Sequence, residues 1–273
     1  MSITRFGRYL TLFILGAIWI IPLYFILINA TVSPQEYRSK EVYAVPSEFA
    51  FWANIRDAWT SAGLGVSVGS TFLYATVGAA IGVMLAALAA YAIVGLRIRH
   101  GFLWFMVLYA GTVFPFQMYL APLYSMYVNQ NLYDTRIGLL LFYVAIAIPF
   151  AIFVIRNHFV SIPTEVAEAA RLDGAGSMRV FAQIFVPLSF NAFATVFILQ
   201  FTWIWNDLLF GLTLSRSAEI RPIMTALAGL QGQYASSSVP VVLAGALLVS
   251  VPTFILFFSV QGVFVRGLSV TAR

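Results

Sequence analysis

The sequence predicts an all-α membrane protein with six transmembrane helices and a helix–turn–helix element between the fourth and the fifth helix. Hydrophobic residues make up 61% of the 273-residue chain and charged residues only 9%, with a mean hydropathy of +0.91. In soluble domains about a quarter of all residues are charged, so this composition is typical of a protein embedded in a bilayer. Long stretches lack any charged side chain, whereas the short stretch 165–180 concentrates several of them.

Six charge-free stretches are each long enough for one spanning helix, which needs about 20 mostly apolar residues. They are 9–35, 58–96, 100–133, 137–155, 180–206 and 222–265. In the last stretch, the residues before the polar run Gln231–Ser238 are too few to span alone. The first stretch lacks a small-residue cleavage site, so we expect a retained helix rather than a signal peptide. We therefore expect one transmembrane domain over residues 1–273, with both termini on the same side.

The distribution of positive charge predicts the orientation of these helices. With the N-terminus in the cytoplasm, the inner arginines are Arg5, Arg8, Arg97, Arg99, Arg156, Arg171, Arg179, Arg266 and Arg273. The outer basic residues are Arg38, Lys40, Arg56, Arg136, Arg216 and Arg221. The inner arginines lie in short connections, where the positive-inside rule applies most strongly. The element between the fourth and fifth helices, and both termini, are then predicted to be cytoplasmic.

The predicted helices lack the groups that proton coupling or catalysis requires. No ionisable residue lies at a helix centre, where its burial would be costly and would indicate function. Asp207 is the nearest case, and its neighbours Trp203 and Trp205 favour an anchor at the membrane interface. His100 and His158 fall at helix ends without a second ligand at helical spacing, so we expect no metal site and no catalytic role.

The chain also lacks the loop that binds the phosphates of ATP. That loop needs Gly-x-x-x-x-Gly-Lys-Ser/Thr, and the only lysine, Lys40, follows Arg38-Ser39. We therefore expect that this chain does not hydrolyse ATP and that any energy for its work comes from a partner.

Residues 161–187 are predicted to form a short helix, a turn and a second helix. Ser161 or Thr164 can cap the first helix, and Ser177 can cap the second. Gly174 and Gly176 suit the turn, where a positive φ is cheap only for glycine. We expect Glu168 and Arg171 to form an ion pair on one helix face.

From these residues alone two interpretations stay open for this segment. Small and apolar faces at Val166, Ala169, Ala170 and Leu172 fit a ridge that docks into a groove of a soluble protein. The alternative is an ordinary cytoplasmic loop that contains two helical turns.

The same segment resembles the EAA signature of the permeases of binding-protein-dependent ABC importers. The matching pattern is Glu168-Ala169-Ala170, three residues, Gly174, nine residues, Ile184, one residue and Val186-Pro187, with valine where leucine is usual. The segments "FTWIWNDLLFGLTL", "GLQGQY" and "FVRGLSVTAR" are similar to the sugar-importer branch that includes the maltose permease, and specifically to its smaller six-helix subunit.

The resemblance implies a transport function with named partners. It implies a sister permease subunit, two ATPase subunits and an extracytoplasmic solute-binding protein, in a bacterial inner membrane. ATP and Mg would be bound by the ATPase, and no cofactor by this chain. The residues that would couple to the ATPase are Glu165, Glu168, Ala169, Ala170, Arg171, Asp173, Gly174, Ile184 and Pro187.

Two further sets of residues are candidates for the transport function. The resemblance implies an external loop that faces the binding protein, with Gly229, Gln231, Gly232, Gln233 and Tyr234. Amide side chains inside the predicted helices offer the few polar groups that a sugar pathway needs beside aromatic surfaces. These pathway candidates are Gln117, Gln200 and Asn206.

Two other classes of membrane protein are alternatives to the importer permease. An ion-coupled secondary transporter should show inverted repeats and buried coordinating groups, and neither is visible. A membrane enzyme should show clustered acids or histidines at one depth, which are also absent from the sequence. The spacing of the EAA signature favours the permease over both.

Overall fold

Helices make up most of the chain that the computed structural model describes, which is residues 3–39, 41, 43, 45–231 and 238–270. The chain forms two compact units, each with its own packing. The first unit contains Met1–Gly65 with Ala226–Val251, and the second contains Val66–Thr225 with Pro252–Arg273.

The first three helices belong to the first unit. They are α1 (Ile3–Thr31), α2 (Pro34–Tyr37) and α3 (Phe51–Ser61). The Ser33 side chain accepts a hydrogen bond from the backbone N–H of Glu36 and so caps α2. The amide nitrogen of Asn54 on α3 donates to the carbonyl oxygens of Ala30 and Val32 over 2.9 Å each, which fixes α3 against the end of α1.

A long spanning helix follows and carries a π-helical turn. It consists of α4 (Leu64–Leu73), the π-helical turn Tyr74–Gly78 and α5 (Ala79–Val94). The next span is broken between α6 (Gly101–Tyr109) and α7 (Leu120–Asn129), where short 3-10 turns meet at a bend of 90°. The sequence predicted an uninterrupted helix here, and Pro115 supplies the physical reason, because proline cannot donate to the helical ladder.

The helices on either side of the charged stretch are long and apolar. Thr135 caps α8 (Arg136–Val160) by accepting from the N–H of Gly138 over 3.0 Å. The charged stretch itself contains α9 (Thr164–Leu172) and α10 (Ser177–Val180). A π-helical turn, Phe181–Phe185, then leads into α11 (Val186–Leu188) and α12 (Phe190–Trp205), with a bend of 76° between α10–α11 and α12.

The last helices are α13 (Leu209–Leu214), α14 (Ile223–Gly229) and α15 (Val239–Val270). Four helical segments of the described chain are long and apolar enough to cross a membrane: Gly7–Ala30, Leu64–Val94, Arg136–Val160 and Val239–Ser259. If each bent pair forms one span, the count rises to six. The predicted fold class, an all-α membrane protein with a helix–turn–helix between spans four and five, is confirmed.

Small residues hold the second unit together along α5 and α8. Ala79, Ala86 and Ala90 are buried on α5, and small side chains of this kind allow close helix packing. A Cβ atom on Gly82 would lie 2.7 Å from the Cβ of Ala147 on α8, so the two helices touch where glycine meets alanine. This close approach places the end of α5 beside the charged stretch.

Candidate functional site

The helix–turn–helix over residues 161–187 begins without a side-chain cap. Pro163 precedes α9 in an extended conformation, and the predicted caps Ser161 and Thr164 are wrong. The Ser161 hydroxyl instead donates to the carbonyl of His158 over 2.6 Å, which closes the end of α8. Ser177 is the first residue of α10 rather than its cap, because Gly176 precedes the helix.

The turn between α9 and α10 depends on the backbone of Gly174. Its φ is +82°, a left-handed conformation that glycine adopts without a steric penalty. The N–H of Gly174 donates to the carbonyl of Arg171, and the N–H of Ala175 donates to that of Ala170 over 2.9 Å. Gly176 has an ordinary φ of −68°, so the positive φ predicted for both glycines exists at Gly174 alone.

One side of this element is packed into the protein core. Ala167 of α9 and Val180 of α10 are buried, as are Phe181 and Phe185 of the π-helical turn. They join a hydrophobic cluster with the C-terminal halves of α5 and α8. The ring of Phe185 contacts that of Phe159 on α8 in an edge-on arrangement, with 5.0 Å between centroids. The base of the element is thereby anchored to two spanning helices.

Polar contacts join the same element to the loop after α5. The Glu168 carboxylate lies 3.4 Å from the Arg97 guanidinium, and both side chains are more than half exposed. The Arg171 guanidinium donates to the carbonyl of Gly95. Glu168 therefore pairs with Arg97, and the predicted pair with Arg171 is wrong.

The opposite side of the element is open to solvent and carries apolar groups. Leu172 is 89% exposed and Met178 66% exposed, with Val166 also exposed on α9. The other predicted residues on this surface are Glu165, Glu168, Ala169, Arg171, Asp173, Gly174 and Pro187, which are exposed, and Ala170 and Ile184, which are half-buried. The exposed residues of α9 and α10 thus form a ridge, whereas Ala170 and Ile184 pack against the buried base of the element.

The predicted external loop is described only in part. Gly229 ends α14, and the N–H of Gln231 donates to the carbonyl of Ala228 over 3.0 Å, with its side chain exposed. Gly232, Gln233 and Tyr234 lie outside the described residues.

The three pathway candidates do not converge on one point. Gln200 on α12 is buried and lines a cavity of about 360 Å³, beside the broken span between α6 and α7. Asn206 lines a second cavity of about 780 Å³. Phe116 and Trp203 contribute to the walls of both cavities, and their rings lie 5.5 Å apart. Gln117 is exposed and contributes to neither of these two cavities.

Asp207 is a buried structural group that sequence reasoning did not identify. The sequence favoured an anchor at the membrane interface, but Asp207 is only 7% exposed. Its carboxylate accepts hydrogen bonds from the Tyr143 hydroxyl over 2.8 Å and from the backbone N–H groups of Phe210 and Gly211. It therefore caps the start of α13 and ties it to α8. The run Asn206-Asp207 before an apolar helix was the available signal.

Asp134 organises the N-terminal end of α8 in a similar way. Its carboxylate accepts from the backbone N–H groups of Arg216 and Ser217 over 2.8 and 2.9 Å, and from the Ser217 hydroxyl. Partial burial raises the pKa of Asp134, but the hydrogen bond from the Ser217 side chain and those from the two backbone groups outweigh it, so the pKa lies below the usual 3.8. Among the described residues, no group of three His, Cys, Asp or Glu could hold a metal ion.

This arrangement of bent spans and an exposed helix–turn–helix defines a multi-pass membrane permease. Residues 80–270 match the family of binding-protein-dependent transport system inner membrane components, and the chain belongs to that family. It is therefore an inner-membrane permease component of an ABC importer and is not itself catalytic, and ATP is handled by the partner ATPase.

Curated relatives align with nearly the whole chain. It is 30% identical over 269 residues to the melibiose/raffinose/stachyose import permease protein MelC of Bacillus subtilis (strain 168), which covers 97% of this chain and 96% of that protein. It is 31% identical over 269 residues to the sn-glycerol-3-phosphate transport system permease protein UgpE of Yersinia pestis bv. Antiqua (strain Antiqua), covering 93% and 92% respectively.

A solved structure shares the fold. The crystal structure of a bacterial ABC transporter involved in the import of the acidic polysaccharide alginate contains a chain that superposes with a TM-score of 0.76. The match covers 96% of this chain and 98% of that chain, at 24% sequence identity. This likeness supports the fold of the permease.

Proposed function

We propose that residues 1–273 act as one permease domain that forms half of the translocation pathway for a sugar or a related polyol. The relatives named as permeases for melibiose, raffinose and stachyose and for sn-glycerol-3-phosphate support this substrate class. The other half of the pathway is a sister permease subunit, and an extracytoplasmic solute-binding protein delivers the substrate.

The observation that carries the proposal is the exposed ridge on α9 and α10. An apolar side chain as exposed as Leu172 indicates a surface that a partner covers, and Met178 and Val166 are further exposed apolar groups of the same element. The small side chain of Ala169 allows a close approach. The partner is one of two ATPase subunits, whose groove receives the ridge, and closure of the ATPases moves this element. Both termini and the ridge then lie in the cytoplasm.

The remaining candidate residues have roles on the path of the solute. Gln200 and Asn206 offer amide groups to hydroxyls of the substrate, beside the aromatic walls of Phe116 and Trp203. Gln117 lies on the same broken span and belongs to the same proposal. The external loop from Gly229 to Tyr234 faces the binding protein.

The alternative, an ion-coupled secondary transporter, has less support. Such a carrier coordinates its coupling ion with buried acids or unwound backbone near the membrane midplane. Asp207 is a buried acid, but its carboxylate already accepts hydrogen bonds from Tyr143, Phe210 and Gly211. Asp207 therefore does not favour this alternative.

Retention of the ATPase by a tagged form of this chain tests the docking role. Leu172→Asp places a carboxylate on the ridge without disturbing the core, so we expect loss of the co-purified ATPase with normal membrane insertion. Gln130→Asp, an exposed change at the C-terminal end of α7, serves as the matched control. Full ATPase retention by Leu172→Asp would contradict the proposal.

The orientation has its own test, which the absence of cysteine from the chain makes direct. Ser177→Cys should react with an impermeant thiol reagent only from the cytoplasmic side, and Gln130→Cys only from the outside. The reverse pattern would contradict both the orientation and the docking role.

A further inference from the structure

Two tyrosines on one helix hold backbone segments at its opposite ends. The Tyr91 hydroxyl, near the end of α5, donates to the carbonyl of Ser177 over 2.8 Å. The Tyr74 hydroxyl, in the π-helical turn that precedes α5, donates to the carbonyl of Ile220 over 2.9 Å. The helix rises about 25 Å between them, at about 1.5 Å per residue.

Tyr91 forms the centre of the contact between α5 and the helix–turn–helix. Its side chain is 4% exposed, and its ring centroid lies 5.2 Å from that of Phe181 and 5.0 Å from that of Phe185. The π-helical turn Phe181–Phe185 places both rings around Tyr91, and such turns often occur at functional sites. A Cβ atom on Gly95 would lie 2.3 Å from the Tyr91 ring, so the following loop also closes over it.

The other end of the same helix holds the segment Glu219–Ile223. The Ser70 hydroxyl donates to the carbonyl of Glu219 over 2.6 Å. The Thr71 hydroxyl accepts from the N–H of Ile223 over 2.7 Å. With Tyr74, three side chains within little more than one turn of the helix bind this segment, so a displacement of the helix requires the segment to move or its hydrogen bonds to break.

We propose that Tyr91 is a positioning residue for energy coupling, which links the α9–α10 element to helix Leu64–Val94 so that movement of this element reaches segment Glu219–Ile223. The inference rests on the proposed docking of this element to an ATPase. A helix with its backbone groups paired internally moves as one body, whereas the polar contact of Glu168 with Arg97 is exposed and weak. The buried Tyr91 contact therefore transmits the displacement, together with the hydrogen bond from Arg171 to the Gly95 carbonyl at the end of the same helix.

The test uses the complete importer, purified through a tag on this chain, without nucleotide and after trapping with ATP and vanadate. Amide hydrogen exchange is measured in the peptides that contain residues 164–172 and 217–223. In the parent importer we expect trapping to change the exchange of both peptides. Tyr91→Phe keeps the two ring contacts and removes one hydrogen bond, so residues 177–181 should exchange about five-fold faster.

The decisive measurement is the change in hydrogen exchange of the peptide that contains residues 217–223, which is distant from Tyr91. In Tyr91→Phe, trapping should still change residues 164–172, while the response of residues 217–223 falls at least about five-fold, as expected from a lost hydrogen bond. Tyr109→Phe, which removes a hydroxyl from the neighbouring helix α6, is the control and should leave both responses intact. If Tyr91 had a merely structural role, Tyr91→Phe would lower the melting temperature, and the responses of the two peptides to trapping would not differ from each other.

A double variant measures whether both tyrosines act through the same helix. Independent residues this far apart have additive effects. If the helix transmits the movement, Tyr74→Phe should lower the response of residues 217–223, and adding it to Tyr91→Phe should lower it little further. An unchanged distant response in Tyr91→Phe, with the near response intact, would overturn this inference alone. Loss of the near response in the parent importer would overturn the proposed docking as well.

Discussion

Tyr143 and Asp207 form a buried hydrogen bond of 2.8 Å that joins α8 to the start of α13. Tyr143 is fully buried, and its ring lies 5.8 Å from that of Tyr74. Asp207 also accepts from two backbone N–H groups, so its carboxylate satisfies donors that would otherwise be unpaired.

Removing one partner of this pair should destabilise the protein more than removing a surface hydroxyl. Tyr143→Phe removes one of the hydrogen bonds that the buried Asp207 carboxylate accepts and leaves those from Phe210 and Gly211, which costs about 1–3 kcal/mol. We expect a lower melting temperature of the purified permease, measured by thermal unfolding in detergent. Tyr124→Phe, at an exposed hydroxyl, should leave it unchanged. Equal melting temperatures for the two variants would contradict a structural role of the buried pair.

The two glycines of the α9–α10 turn should respond differently to the same substitution. Gly174→Val forces a β-branched residue into φ +82°, at a cost of about 1–3 kcal/mol of backbone strain. Gly176→Val meets an extended backbone, and no atom lies within 4 Å of the added Cβ. We expect ATPase co-purification to fall with Gly174→Val and to persist with Gly176→Val. A loss in both variants would indicate that bulk on the ridge, and not strain, is responsible.

A charge exchange distinguishes the ion pair of Glu168 with Arg97 from the proposed contact of Glu168 with the ATPase. Its pair with Arg97 is exposed at both partners, and such pairs contribute about 0–1 kcal/mol. We propose that Glu168 also pairs with a basic group of the ATPase, so Glu168→Lys should abolish ATPase retention through repulsion. The double variant Glu168→Lys with Arg97→Glu restores opposite charges within the chain and should remain defective. Recovery of ATPase retention in the double variant would show that the internal pair is what matters.

Substitution by alanine should lower the stability of the protein at a closely packed glycine and raise it at a glycine with open space around it. Gly82→Ala brings a Cβ to 2.7 Å from that of Ala147, and overpacking of this kind costs about 1–3 kcal/mol. Gly69→Ala meets no atom within 4 Å and should stabilise its helix by up to about 1 kcal/mol. Thermal unfolding of the two variants beside the parent checks this prediction, and a Gly82→Ala variant as stable as Gly69→Ala would refute it.

Acid should release the segment that Asp134 holds. The folded pKa of Asp134 is below the ordinary value of 3.8, so its contribution is fully present above pH 3.8 and is lost as the pH falls through the folded pKa. We expect the amides of Arg216 and Ser217 to keep constant protection, after correction for intrinsic exchange, from neutral pH to about pH 5 and to lose it below the ordinary Asp pKa. Asp134→Asn should be less protected at neutral pH and show no such transition. A protection profile identical in both proteins would contradict the role of the carboxylate.

The sequence alone determined the class of fold and the position of the exposed element. The long apolar stretches free of charge indicate a membrane protein, because each is long enough to cross the hydrocarbon core of a bilayer as a helix. The Glu168-Ala169-Ala170 pattern and Gly174 lie close together in sequence, so a local helix and a glycine turn could be predicted without distant contacts. The φ of +82° at Gly174 agrees with that expectation.

The tertiary structure decided which side chains meet across the fold. Glu168 contacts Arg97 and Arg171 contacts the Gly95 carbonyl, although helical spacing favoured a pair between the two. Asp207 is buried because Tyr143, far away in sequence, supplies a donor. The bend of 90° between α6 and α7 also escaped prediction, since hydropathy does not distinguish a broken span from a straight one.

The physical reason lies in the range of the interactions. Hydropathy, capping and backbone preference act over a few neighbouring residues and can therefore be inferred from a string of letters. The partner of a polar group depends on how the helices pack. The close contact of Gly82 with Ala147, for example, determines that α8 lies beside α5. That packing also brings Tyr91 to Ser177, a contact between residues that no local pattern connects.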